Sequence, residues 1–156
     1  MAKKSGINIF QYKYLYLLIA AVLIGGVLIL CAKIIVESRH TRVVMIGNQK
    51  YVLDVADTPV ALEKGLGGRS SMPSNKGMLF ILASSSDNCF WMKDMKFPLD
   101  MVWLDNNGKV IHTAADVKPD SYPNQYCSEG QPKYVVELNA GNIKCGNIRD
   151  GQAILF

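Results

Sequence analysis

The sequence predicts a mainly β domain, barrel-like or sandwich-like, preceded by one transmembrane helix. Three observations carry that expectation. Residues 14–32 contain no charge and are mostly Leu, Ile, Val and Ala. At a rise of about 1.5 Å per residue, such a run matches a hydrocarbon core of roughly 30 Å. Beyond residue 42 the chain breaks into short apolar segments punctuated by Gly, Asn, Pro and Ser, which is the pattern of many short strands. The charges also divide by region. Residues 1–42 hold six Lys or Arg and one acid, whereas residues 43–156 hold eleven basic against twelve acidic residues, a net of −1.

The apolar run exceeds the roughly 7–15 residues of a signal-peptide core, and Leu30-Cys31-Ala32 lacks a small residue at its first position. An uncleaved anchor is therefore expected. The division reads as a cytoplasmic tail over 1–13, a span over 14–36, a linker over 37–42 and a folded domain over 43–156. Lys3, Lys4 and Lys13 before the span nearly balance Lys33, Arg39 and Arg42 after it. The short tail favours an N-inside, C-outside orientation, with the domain outside the cytoplasm at the cell envelope. A near-neutral domain lacks the basic face a nucleic-acid partner needs. The basic excess belongs to the membrane flanks, where it can meet lipid headgroups.

Within the domain, residues 43–46 and 51–55 read as strands of a hairpin turned at Gly47-Asn48. Thr58-Pro59 is a helix start, with Thr58 as cap and Pro59 in the first turn, and Gly65 ends that helix. Gly67-Gly68-Arg69-Ser70 is a turn. It follows a helix and lacks the preceding strand and following Lys-Ser/Thr of a phosphate loop. Residues 77–82 are a continuous apolar strand, covered on both faces, and residues 84–87 are a loop. Asn106-Asn107-Gly108 signals a hairpin into a strand over 109–117. Residues 119–132 form a long loop of the functional type. Residues 134–138 are a strand, 140–146 a short helix and 152–156 a closing strand. About eight strands and one or two short helices result, with no internal repeat.

The most distinctive stretch is Cys89 to Asp105, which contains two Trp and three Met. It reads as a hairpin with Lys93 facing Asp100 across the turn, Trp91 facing Val102 and Cys89 facing Leu104. The Lys93–Asp100 pair has two readings. It is either a cross-strand ion pair that fixes register, contributing about 0.2–1 kcal/mol, or the polar mouth of a pocket lined by Trp and Met.

Catalytic signatures are weak. His40 lies in the linker, His112 alternates with Ile111 in a strand, and no serine sits in a nucleophile elbow. Asp100 and Glu137 could flank a substrate as acid and base, which leaves a hydrolase as the enzymatic alternative. No cofactor or metal motif is present, since no cysteine pair has a two-residue gap. An extracytoplasmic domain can hold one disulfide. Cys127 and Cys145 are the favoured pair, with Cys89 read as a small buried hydrophobe, although spacing alone does not fix connectivity.

One series of motifs goes further. Val55-Ala56-Asp57-Thr58-Pro59, Lys64-Gly65-Leu66 with Arg69, and Gly77-Met78-Leu79-Phe80 occur in order. Phe90-Trp91-Met92-Lys93, Pro98-Leu99-Asp100 and Tyr134-Val135-Val136-Glu137-Leu138-Asn139-Ala140-Gly141 follow. Over about residues 45–156 this series resembles the domain of unknown function family 192, a prokaryotic family. The resemblance implies a compact β-rich fold, often behind a signal or anchor. It also implies that Arg69, Met78, Trp91, Met92, Lys93, Asp100 and Glu137 share one pocket. It brings no reaction with it. Two positions depart from the family pattern: Gly67 stands where a larger residue would follow Leu66, and Asp94 stands where Asn usually follows the lysine. The combined expectation is a membrane-anchored module that binds a small polar or envelope-derived ligand or a peptide. A hydrolase using Asp100 and Glu137 and an accessory protein of a membrane complex are the alternatives.

Overall fold

A computed structural model describes residues 9–38, 40–83 and 89–154. The chain divides into two compact units, residues 1–39 and 40–156. The first contains helix α1, Ile9–Ser38. Its segment Tyr12–Ala32 has a mean hydropathy of 2.8 and is long and apolar enough to cross a membrane.

The second unit is built on one six-stranded sheet. Strands β1 (Thr41–Ile46) and β2 (Gln49–Ala56) form the expected antiparallel hairpin. Gly47 turns it with φ +58°, a conformation glycine adopts without steric cost. Helix α2 (Pro59–Lys64) begins where expected: the Thr58 side chain accepts from the Ala61 N–H at 3.3 Å, and the Gly65 N–H closes the helix on the Ala61 carbonyl. The chain then enters β3 (Lys76–Ile81), parallel to β2. Strands β5 (Leu99–Leu104) and β6 (Val110–Val117) pair antiparallel across the Asn-Asn-Gly turn. There the Asp105 carboxylate accepts from the N–H groups of Asn107 and Lys109. Strand β8 (Tyr134–Asn139) lies between β3 and β5, antiparallel to both. The strand order is β1-β2-β3-β8-β5-β6.

Two short strands, β4 (Cys89–Trp91) and β7 (Gln125–Cys127), make a separate antiparallel ribbon. The outermost strands β1 and β6 of the main sheet do not pair with each other, so the barrel is not closed and the architecture is sandwich-like. The long loop over 119–132 contains a one-turn 3-10 helix, Pro119–Ser121, and the whole of β7. The closing strand expected at 152–156 is reduced, in its described part, to a bridge between Lys109 and Ala153. Residues 155 and 156, and the loop expected at 84–87, lie outside the described residues.

The sheet is buried on both faces. On one, Leu53, Leu79, Val102, Leu104, Val136 and Leu138 form a core. Ile143 of the short helix α3 (Asn142–Gly146), Ile148 and Ile154 cover it. On the other, Phe80, Met101, Trp103 and Val135 pack against Leu66, Met92 and the ribbon residues Phe90 and Tyr126. Phe90 makes edge-on ring contacts with Phe80 at 5.0 Å and with Trp103 at 5.9 Å.

The expected hairpin between residues 89 and 105 does not form. Trp91 pairs with Gln125, and β5 pairs with β6 and β8. The turn between the two segments does not double back: Asp94 takes φ +58° and the chain runs from the ribbon into the main sheet between β8 and β6. The register Lys93–Asp100 is therefore absent. So is the Cys127–Cys145 bridge, because Cys89 and Cys127 face each other across the ribbon and form the disulfide, leaving Cys145 free and exposed.

Asp100 has a structural task instead. It is 1 % exposed. Between Leu99 and Met101 the β5–β6 ladder is irregular, with Asp116 at φ +52° in β6. That irregularity leaves the Asp116 N–H without a cross-strand carbonyl. Asp100 Oδ1 accepts it at 2.8 Å, and Oδ2 accepts the Ile143 N–H at the start of α3 at 2.6 Å. One carboxylate thus ties the bulge to the helix that covers the core.

Two outcomes follow from these contacts. Asp100→Ala removes the acceptor of two part-buried N–H groups, so a loss of about 1–3 kcal/mol is expected in urea or thermal unfolding. A loss under about 0.5 kcal/mol, within the range of an ordinary surface change, would sink the assignment. The disulfide closes a separation of 38 residues, so Cys89→Ser is expected to cost about 4 kcal/mol by loop entropy. In denaturant without reductant, thiol titration should find two reactive groups, Cys31 and Cys145; four would disprove the bridge.

Candidate functional site

The face of the sheet carrying Trp103 also carries a transverse row of side chains. Asp54 of β2 lies beside Met78 of β3, Met78 opposite Glu137 of β8, and Glu137 opposite Met101 of β5. Gly77 makes this row tight. A Cβ there would lie 2.5 Å from the Glu137 carbonyl oxygen and 2.7 Å from Leu53, so only glycine lets β3 approach β8 this closely.

Arg69 arrives over the row from the turn after α2. Its backbone N–H donates to the Leu66 carbonyl, and its guanidinium Nη2 donates to Asp54 Oδ2 at 2.9 Å. Both side chains are partly exposed, at 40 % and 34 %, so the ion pair contributes at most about 1 kcal/mol and serves chiefly to aim the guanidinium. The turn is held from the other side by the Gly68 N–H donating to the Asp94 carbonyl at 3.0 Å. At Gly67 a Cβ would stand 3.0 Å from the Lys64 carbonyl and 3.4 Å from that of Lys93. The departure at Gly67 thus lets two backbone segments approach closely. The departure at Asp94 falls at a left-handed residue, a conformation that Asn and Asp adopt more readily than other side chains.

Glu137 is the unusual member of the row. It is 4 % exposed, and no hydrogen bond to its carboxyl exists among the described residues. No side-chain oxygen or nitrogen there is both sealed from solvent and unpaired, so what exposure Glu137 retains is at its carboxyl end. Burial pushes its pKa from 4.5 up to about 8, against the opposing pull of the Arg69 charge. At neutral pH it is mainly a carboxylic acid, able to donate as well as accept. Its neighbours Arg69 and Met78 line a hollow of about 500 Å³ with Ala56, Lys64 and Gly68, and Glu137 is not among the lining residues.

Lys64 and Gly67 also border two neighbouring hollows, of about 710 and 350 Å³, beside Lys93 and Met95. Lys93 Nζ stands 5.7 Å from the centroid of the Trp91 ring. Trp91 is 42 % exposed and meets Tyr122 edge-on at 6.0 Å.

The seven residues expected to share one pocket fall into separate places. Arg69, Met78 and Glu137 come together. Trp91 and Lys93 pair beside a neighbouring hollow that shares Lys64, Gly65 and Gly67 with the first. Met92 is a core residue, 1 % exposed. Asp100 lies opposite Leu138, and Glu137 opposite Met101, so the two carboxylates point to opposite faces of the sheet. A two-carboxylate hydrolase centre is not formed. Asp54, Lys64 and Tyr122 were not foreseen. Asp54 carries the clearest signal, an acid within the apolar stretch Tyr51–Ala56, on the face that Ala56 buries. Among the described residues no group of three His, Cys, Asp or Glu converges as a metal would require.

The fold recurs in solved structures. A protein of unknown function from Novosphingobium aromaticivorans is 23 % identical, with a TM-score of 0.63 over 74 % of this chain and 84 % of its own. A putative transcription regulator from Sinorhizobium meliloti is 28 % identical, with a TM-score of 0.66 over 74 % of this chain and 92 % of its own. No curated protein matches the sequence. The model of domain of unknown function family 192, described as an uncharacterized ACR, matches residues 42–156. That span contains the whole sheet, the ribbon and the crevice, and the chain belongs to this family.

Proposed function

We propose that the chain is a membrane-anchored, extracytoplasmic binding module whose crevice, from Glu137 and Arg69 to Lys93 and Trp91, takes a small polar ligand. The observation that carries this is Glu137. Its side chain is almost wholly buried, its carboxyl keeps a narrow contact with solvent, and carboxyls whose pKa is raised by burial concentrate at functional sites. A guanidinium aimed by Asp54 and a methionine wall at Met78 add the mix of charge and adaptable apolar surface common in ligand sites. An apolar helix over Tyr12–Ala32 supports anchoring. The Cys89–Cys127 disulfide supports a compartment outside the cytoplasm, because such bonds persist under oxidising conditions.

The site has a linked cost. Folding raises the Glu137 pKa from 4.5 to about 8. Stability is therefore highest with the acid protonated. It starts to fall once the pH exceeds 4.5 and is fully reduced above about 8, where the unfolded state has released its proton and the folded state must release one from a buried site.

Glu137→Gln keeps the shape and the donor but cannot ionise. The variant is expected to match the parent near about pH 5 and to exceed it by a few kcal/mol near about pH 9, read as unfolding free energy. Equal pH slopes for the two proteins would show that Glu137 is not buried as an acid. For ligand binding, the full chain in mild detergent is screened by thermal shift against small polar metabolites. Occupancy at about 100 times Kd should add about 2.7 kcal/mol, a rise of several degrees. Arg69→Ala should lose the shift with little change in its own melting point. A panel in which nothing moves the transition, or in which Arg69→Ala responds like the parent, removes the binding reading.

A further inference from the structure

The geometry points to a second copy of this chain as the partner of β1, paired antiparallel along its free edge and centred on Val43, so that two six-stranded sheets continue as one. This reading does not depend on the crevice.

The two edges of the sheet are built differently. On β6 the Val110 N–H donates to the Gln152 carbonyl, the Val110 carbonyl accepts from the Gly151 N–H, and Lys109 bridges Ala153. Further along, Asp116 stands at φ +52° and ion-pairs with Lys118. A covering segment, an irregular backbone and charges close an edge to further pairing. Strand β1 contains no proline and no residue at positive φ, and no strand but β2 pairs with it among the described residues. Val43 and Met45 are 51 % and 48 % exposed.

The hairpin fixes which backbone groups are free. The Val55 N–H donates to the His40 carbonyl, and Ile46 pairs with Gln49 across the turn, so the even-numbered positions of β1 bond β2. The N–H and C=O groups of Thr41, Val43 and Met45 therefore point outward, and they have no backbone partner among the described residues.

One register suits a second copy. With Val43 opposite Val43, Thr41 of each copy meets Met45 of the other, and about six hydrogen bonds form. Val52 flanks the central pair on both sides. Both outer rows run from Lys50 and Met45 of one copy to Thr41 and Asp54 of the other, so each row ends in opposite charges. A slip one way sets Arg42 directly opposite Arg42, which is unfavourable for like charges. A slip the other way keeps only the pairs between Val43 and Met45 and loses Thr41. The strand thus supplies both halves of a self-complementary two-fold contact. Strands this short bury far less than the roughly 1,600 Å² of a standard interface, so the contact is weak and reversible.

The test uses the full chain in mild detergent, with the free cysteines Cys31 and Cys145 replaced by serine, and follows disulfide cross-linking of added single cysteines under a mild oxidant. Val43→Cys should cross-link to itself at least tenfold faster than Met45→Cys, whose two copies would stand about 13 Å apart along the strands, beyond disulfide reach. Mixing Met45→Cys with Thr41→Cys should restore rapid cross-linking. Val43→Lys sets two lysines face to face and should weaken self-association at least tenfold in sedimentation, with its melting point unchanged because the position is exposed. A chain that stays monomeric at every concentration overturns the proposal and leaves the edge to a strand of another protein. Self-cross-linking of Met45→Cys as fast as that of Val43→Cys also overturns it. So does a dimer that survives Val43→Lys, which would place the contact on α1.

Discussion

Strands β3, β8 and β5 run through the middle of the sheet with both faces covered, and every position of β5 is buried. Any charged side chain in this slab must find a partner within it or reach the rim. Asp100 and Glu137 stand on adjacent strands in neighbouring rows, on opposite faces. They meet the constraint in opposite ways. Asp100 accepts two backbone N–H groups that would otherwise be stranded, one at the bulge in β6 and one at the start of α3. Its burial is therefore matched by hydrogen bonding, and it organises the lid over one core. Glu137 accepts none from the described residues and escapes the cost by remaining protonated.

The location of Glu137 follows from backbone packing. Gly77 brings β3 against β8 so closely that Met78 sits beside the carboxyl. The parallel β2–β3 pairing continues the row to Asp54. The crossover that parallel pairing demands contains α2 and the turn that delivers Arg69. The guanidinium is then fixed by an acid two strands from Glu137, near enough to lower the cost of ionising the buried carboxyl and too committed to cancel it. A buried acid, an aimed cation and a hollow beside them thus come from one β-α-β connection and its neighbour.

Much of this was legible in the residues. Thr58-Pro59 and Gly65 marked α2, Gly47-Asn48 and Asn107-Gly108 marked two hairpins, and the continuous apolar run of β3 marked a strand covered on both sides. These signals are local: each depends on what a residue does to its own backbone. The errors concern partners distant in sequence. Residues 89–91 and 99–104 are apolar segments on either side of a short turn, and that composition does not say which strand lies opposite. The pairing of β4 with β7 was hidden inside a polar loop only three residues deep in strand, and with it the Cys89–Cys127 bond. Asp100 read as a site residue because it was placed opposite Lys93 across the expected turn and belongs to the Pro98-Leu99-Asp100 motif. Its true partners are backbone N–H groups at Asp116 and Ile143, which carry no side-chain signature.

The ribbon explains why the crevice has a second end. A three-residue pair of strands is marginal by itself in water. It is held here by the Cys89–Cys127 bond and by Phe90 packed edge-on between Phe80 and Trp103. That anchoring leaves Trp91, on the opposite side of the same strand, free to carry Lys93 and meet Tyr122 at the surface. From there the chain turns through Asp94, whose carbonyl takes the Gly68 N–H of the turn preceding Arg69. One backbone hydrogen bond therefore joins the segment after the ribbon to the turn that precedes Arg69. Asp94 supports the Gly67-Gly68 turn through the Gly68 N–H, and Arg69 follows directly from that turn. The Phe-Trp-Met-Lys motif reads in this light as a strand end and the turn after it with divided duties: Phe90 and Met92 pack into the core, while Trp91 and Lys93 line the neighbouring hollow.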